Sequence, residues 1–231
     1  MNVFFHSGDL GDCIAFLPVI RQLGGGQLIL GNRNGQQARE AITEERFNAI
    51  APLLRAQPYI SAVSHEHDAK GVTHDAGNFR SIPCRCGHEA HNLVNWHGDY
   101  FGISDVDVSP WLSGITPSEE TKGRAVFART LRYHGQNFDW PGIARQYPNA
   151  MFIGFADEYR GLCDTAKMKL AWKPTSNLLE VAELIAGSEM LVSNQCVASW
   201  IAMGMGHRLI QEVCHWSVNS IIRRDNAEFR Y

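Results

Sequence analysis

From Asn2 to Leu30 the chain reads NVFFHSGDLGDCIAFLPVIRQLGGGQLIL. Asn2 to Phe5 is a short β-prone run, and His6 to Asp12 is a polar, glycine-rich break. From Cys13 to Leu23 apolar residues recur at helical spacing, with Ile14, Leu17, Pro18 and Ile20 on one side of Arg21 and Gln22. Pro18 has no N–H to give the helix, so it predicts a kink or a shift in the first turns. Gly24, Gly25 and Gly26 stop the helix, and Gln27 to Leu30 is a second strand. Strand, glycine turn, helix, glycine stop, strand is the grammar of a parallel βαβ unit.

The same rhythm continues outward. A helix is expected over Ala38–Arg55, with Ile42, Phe47, Ile50 and Leu53 or Leu54 on one side, and a strand over Tyr59–Ser64. Residues 65–110 are the least regular part, with one short helix expected near His88–Tyr100. Ser113–Gly123 is polar and turn-prone, as linkers are. Beyond it, strands are expected at Ala125–Arg129, Met151–Phe155, Leu170–Trp172, Met190–Ser193 and Arg208–Val213. Helices are expected at Asn177–Ala186, capped by Ser176 or Asn177, and at Val197–Met205. Alternating strands and helices argue for parallel sheets. The linker divides them into two Rossmann-like lobes, 1–115 and 116–231; one larger sheet carrying the whole chain is the alternative.

Composition bounds the function. The chain has 231 residues, 45% hydrophobic and 19% charged, with a net charge of −3. That is an ordinary globular balance, and a whole-chain nucleic-acid clamp is disfavoured. No run approaches the roughly 20 apolar residues of a membrane helix. Met1 to Phe5 leads straight into the polar turn, so a signal peptide is not expected and the cytoplasm is the default compartment. The six cysteines are scattered and are read as reduced thiols.

Five places can carry chemistry. Gly8-Asp9-Leu10-Gly11-Asp12 lies where open α/β sheets bind ligands, at a strand's carboxyl end before a helix. Gly8 and Gly11 would let a ligand approach the backbone. Asp12 would either take a proton from an acceptor hydroxyl or cap its helix. The spacing is neither the dinucleotide fingerprint nor a Walker A loop. Arg129-Thr130-Leu131-Arg132-Tyr133 follows a strand and can hold a diphosphate, or be a solvated loop. Ser193-Asn194-Gln195-Cys196 lies between a strand and a helix, as a second anion site or a helix cap; Cys196 reads as a packing thiol. Glu212 ends the last expected strand and can accept from ribose hydroxyls. Cys84, Cys86, His88 and His91, with His97 beyond, are zinc-type ligands in number and kind, in a segment holding six of the ten histidines. Their spacing is not the common finger form, and a histidine-rich loop is the plainer reading.

Gly11 to Pro18 resembles the G-D-x-x-x-x-L-P start of the lipopolysaccharide heptosyltransferase-type glycosyltransferases. Leu178 to Gly206 resembles their C-terminal leucine-rich helix, strand, turn and small-residue helix. Shorter glycosyltransferase-like proteins of bacteria and phages look similar too, sharing landmarks at Ser7–Asp12, Arg129–Tyr133, Asn194-Gln195 and Gln211-Glu212. The resemblance implies a GT-B architecture with a central cleft. It also implies inverting, metal-independent transfer from a nucleotide-sugar, with no other cofactor. Asp12 matches the family's general base. Asn194-Gln195-Cys196 stands where many members have Asp-Thr-Gly, with Ser199 and Trp200 in place of a nearby histidine, so ADP-heptose is not assumed as donor.

On this reading 1–115 is the acceptor-side lobe and 116–231 binds the nucleotide-sugar. Arg129, Thr130, Arg132, Tyr133, Ser193, Asn194, Gln195 and Glu212 hold the donor. Trp111, Tyr133 and Trp172 are candidate stacking surfaces. The acceptor is a glycan precursor or a hydroxymethylated pyrimidine in DNA, the latter served by arginines such as Arg80, Arg85, Arg223 and Arg224. The alternatives are a non-catalytic nucleotide or nucleotide-sugar binder on the same fold and a zinc-stabilised interaction protein.

Overall fold

The computed structural model describes residues 1–33, 41–83 and 92–231. The chain forms two α/β units, Met1–Gly114 and Ile115–Tyr231.

The first unit contains β1 (Asn2–His6), α1 (Leu10–Gln22), β2 (Gly26–Leu30), α2 (Glu44–Arg55), β3 (Ile60–His65), β4 (His74–Asp75) and α3 (Leu93–Tyr100). Its strands lie in the order β3-β2-β1-β4, every pair parallel. Cys13 to Ile20 of α1 are all buried, because that stretch is apolar on every side and only the middle of a domain accommodates such a helix. Pro18 lies deep inside α1 rather than in its first turn. The glycine stop serves strand pairing as well as helix ending. Gly26 has φ +154°, and a Cβ there would lie 2.3 Å from the Asn2 carbonyl oxygen, so only glycine lets β2 open beside β1. Thr43 caps α2 by accepting from the Arg46 amide. That cap starts α2 later than the apolar pattern suggests; residues 38–40 of the expected helix lie outside the described residues.

The second unit contains β5 (Ala125–Ala128), α4 (Trp140–Gln146), β6 (Met151–Ile153), α5 (Ala156–Ala166), β7 (Ala171–Lys173), α6 (Leu178–Gly187), β8 (Met190–Ser193), α7 (Val197–Met205), β9 (Leu209–Glu212) and β10 (Ala227–Arg230). Its strand order is β10-β9-β8-β5-β6-β7, again all parallel. Two separate sheets exclude the single-sheet alternative. Phe127, Phe152, Trp140, Ile143, Leu162, Met190 and Val192 are buried together on one side of this sheet, each large side chain contributing about 1.5–3 kcal/mol of transfer free energy.

The strand order locates the sites. From β5 the chain builds outward through β6 and β7, then returns to place β8 on the other side of β5 and builds on through β9 and β10. The direction of winding reverses between β5 and β8. In the first sheet, β1 has β2 and β3 on one side and β4 on the other. Ligands of open parallel sheets bind beyond the carboxyl ends of strands at such reversals.

Candidate functional site

In the first unit, β1 ends on His6, the chain turns at Ser7 and Gly8, and Asp9 is the N-cap residue of α1. Gly8 fills a place no other residue fits. A Cβ there would lie 2.6 Å from the His6 ring and 3.0 Å from Asp12 Oδ2. Gly11, expected in the turn, is the second residue of α1 instead. The helix starts early because Asp9 already takes the extended backbone of a cap. Asp12 is therefore in the first helical turn, where the macrodipole favours a carboxylate. It is 6% exposed, and its Oδ2 accepts from Arg80 Nη2 at 2.7 Å.

In the second unit, the expected donor residues gather at the carboxyl ends of β5, β8 and β9, but they divide into two kinds. Thr130 and Tyr133 are partly exposed and Arg132 is exposed. Arg129, Ser193, Asn194, Gln195 and Glu212 are buried and build the frame. Glu212 Oε2 accepts from Arg129 Nε at 3.0 Å and Trp140 Nε1 at 2.9 Å. Its Oε1 accepts from the Gly135 amide at 3.0 Å and Arg129 Nη2 at 3.4 Å. Four protein donors fill the acceptor capacity of a carboxylate. The carboxylate expected to meet ribose hydroxyls is, in this structure, a clamp on Arg129 and on the loop after β5.

Asn194 is the second clamp. Its Oδ1 accepts from the Thr130 amide at 3.0 Å, and its Nδ2 donates to the carbonyls of Thr130 and Arg132. Held this way, Tyr133 takes φ +59°, a left-handed conformation that costs a non-glycine residue about 1–2 kcal/mol. Gln195 does the same for the segment after β9, accepting from the Cys214 amide and donating to Ser220 Oγ and the Ser217 carbonyl. That segment presents Trp216, 66% exposed, with its ring 5.3 Å from that of Tyr133. Burial pushes the Cys196 thiol up to about 11, in keeping with a packing thiol at the N-cap of α7.

Sequence reading missed His6 and Trp216, and it gave His97 and Arg80 other roles, beside the zinc-type ligands and in an arginine track for DNA. His6 was read only as the first residue of the polar break, and nothing local marks Arg80 as the partner of a residue 68 positions away. Trp111 is 1% exposed and belongs to the core, not to a stacking surface. Trp172 is 41% exposed and stacks on Tyr159 at 5.4 Å. Arg224 donates to the Met203 carbonyl at the end of α7, so with Arg80 it is engaged within its own unit. Cys84, Cys86, His88 and His91, with Arg85, lie outside the described residues. Among the described residues no group of three or more His, Cys, Asp or Glu side chains is arranged to hold a metal, and no helix is long and apolar enough to cross a membrane.

No protein-family model matches the chain, and no curated protein matches its sequence. Solved structures do match its fold. The glycosyl transferase family 9 protein of Veillonella parvula DSM 2008 aligns over 90% of this chain and 79% of its own, with a TM-score of 0.57 and 10% identity. E. coli heptosyltransferase WaaC with ADP aligns over 91% of this chain and 87% of its own, at 0.52 and 14%. The dodecameric, iron-containing heptosyltransferase TibC with ADP-D-beta-D-heptose covers 99% of this chain, which spans 63% of that protein, at 0.54 and 11%. The fold is GT-B-like, with two parallel-sheet α/β units.

Proposed function

We propose that the protein is a glycosyltransferase that moves a sugar from a nucleotide-sugar to an acceptor hydroxyl in the cytoplasm, with inversion and without a metal in the reaction. The observation that carries this reading is the second unit's switch point. Two buried clamps, Glu212 and Asn194, present Thr130, Arg132 and Tyr133 outward beside the N-terminus of α7. A framed arginine and threonine beside a helix N-terminus is the chemistry of a diphosphate site. The likeness to glycosyltransferases of known structure supports the same reading.

In this mechanism the first unit holds the acceptor and the second the donor. The Asp12 carboxylate takes the proton of the acceptor hydroxyl as its oxygen bonds to the anomeric carbon. The bond from that carbon to the diphosphate breaks, and Arg132 offsets the charge that builds on the leaving group. Arg129 contributes from behind by holding the loop. The acceptor is a glycan precursor or a hydroxymethylated pyrimidine in DNA. The test is transfer of labelled sugar from a panel of nucleotide-sugars to both acceptor classes. Incorporation that depends on Asp12 supports the reading, and release of no nucleoside diphosphate with any pairing overturns it.

One observation favours a second reading, a nucleotide-sugar binder without catalysis. Asp12 is nearly buried and its carboxylate is already paired with Arg80. Donor binding without turnover in the same panel would select this reading.

A further inference from the structure

Behind the Gly8 turn lies a pair of histidines with no role in the transfer just described. His6 Nε2 and His97 Nε2 are 3.0 Å apart, and both rings are 0% exposed. The surrounding bonds fix every proton. The Gly8 amide donates to His6 Nδ1 at 2.9 Å, and the Cys13 thiol lies 3.5 Å from the same nitrogen. His6 Nδ1 is therefore an acceptor, and its proton is on Nε2. That proton goes to His97 Nε2, so His97 carries its own proton on Nδ1, 2.7 Å from the Leu93 carbonyl oxygen. The result is one directed chain from Gly8 through two neutral rings to the backbone of α3.

The chain touches two of the groups packed against Asp12. One is the Gly8 turn, packed against the Asp12 carboxylate and bonded to His6. The other is Arg80, which donates to Asp12 and lies over the rings of Phe79 and Trp96 at 4.8 and 5.1 Å. Phe79 stacks on His97 with ring centroids 3.9 Å apart. We propose that His6 and His97 are positioning residues, a proton-ordered pair that sets the place and direction of the Asp12 carboxylate. The catalytic part of this inference rests on the transferase reading; the geometric part does not.

The groups facing the pair agree with its neutrality. Burial lowers both imidazoles, and the Arg80 guanidinium lowers them further. Burial raises the Cys13 thiol, helped by the Asp12 and Asp9 carboxylates and opposed by Arg46, so the thiol keeps its proton. An added proton would face either the His6 N–H at 3.0 Å, if on His97 Nε2, or the Gly8 amide at 2.9 Å, if on His6 Nδ1.

The test is nitrogen NMR of the imidazoles in the wild-type chain, joined to two variants. The expected spectrum has His6 bare at Nδ1 and protonated at Nε2, with neither ring titrating between about pH 5 and 8. His97→Phe removes the acceptor, and His97→Gln returns one. In His97→Phe the Asp12 carboxyl titration moves by about half a pH unit or more. Its kcat falls ~10- to 100-fold with donor KM nearly unchanged, and His97→Gln recovers much of the loss. A ring titrating near neutrality, the opposite His6 tautomer, or an unmoved Asp12 titration in His97→Phe overturns the proposal. Should His97→Phe not fold, the wild-type spectrum decides on its own. Absence of transfer by the wild type counts against the transferase reading alone, and the Asp12 titration still decides the pairing.

Discussion

Arg129 and Glu212, 83 residues apart in the sequence, meet at 3.0 Å across the carboxyl ends of β5 and β9, with side chains 9% and 1% exposed. β8 runs between those two strands. The pair therefore bridges over the switch point and ties the loop after β5 to β9 on the other side. With Trp140 and Gly135 also donating to Glu212, the loop that carries Arg132 is anchored from below.

Breaking this pair should cost stability before it costs recognition. Glu212→Gln leaves the Arg129 guanidinium buried and uncompensated, a loss of about 3–5 kcal/mol. Urea unfolding of the second unit should move to a clearly lower midpoint. An unchanged midpoint, with donor affinity lost, would instead make Glu212 a ligand of the donor.

Asp12→Asn removes a base and almost no volume. Transfer should fall ~10²- to 10⁴-fold, while donor affinity measured by calorimetry stays the same. Arg80→Gln removes the cation beside Asp12, so the carboxylate should become more basic. The acid limb of the rate profile should then move to higher pH. A limb that stays in place would detach Arg80 from the proton transfer.

Two left-handed residues have opposite consequences. Lys167, φ +54°, is the exposed C-cap of α5, and Lys167→Gly should stabilise the chain by about 1 kcal/mol. Tyr133→Gly relieves the same strain but removes the ring beside Trp216. It should melt no lower than the parent and bind nucleoside diphosphate more weakly. Equal binding would show the strained loop to be without a role in recognition.

Acid should weaken the first unit. His6 is held down to about 3 in the folded chain, and His97 lies well below its ordinary value. In the unfolded chain both titrate near 6.5. Below that pH the unfolded chain binds protons the folded one does not, so stability falls as pH falls. The slope is about 1.4 kcal/mol per pH unit for each histidine, until His6 itself protonates. Urea midpoints at pH 7, 6 and 5 measure it. His97→Gln should remove one histidine's share, and an identical slope in that variant would contradict the assignment.

The parallel α/β plan was legible where apolar periodicity and glycine stops coincide, as in β1, α1 and β2, and again in α6, β8 and α7. Other elements were hidden for local reasons. α4 is short and contains Gly142, although Asp139 caps it by accepting from the Gly142 amide. α5 was obscured by reading Phe155 as the end of a strand, when Glu158 reaches back to the Phe155 amide and starts the helix there. β10 is an edge strand of only four residues, too short for its Ala-Glu-Phe-Arg alternation to stand out. In the site, the sequence brought the right turns to the right strand ends. It did not distinguish outward from inward side chains, because a buried Glu212 or Asn194 has the same local signature as an exposed one. Only the strand order, which sets β9 two places from β5, makes Glu212 a partner for Arg129.

The measurement closest to the central claim is a thermal-shift panel of nucleoside diphosphates and their sugars on the wild-type chain. Ligand that binds the folded state raises the melting temperature by mass action. A selective rise is expected with one nucleoside diphosphate and its sugar, reduced in Arg132→Ala. No rise with any member of the panel would contradict the claim.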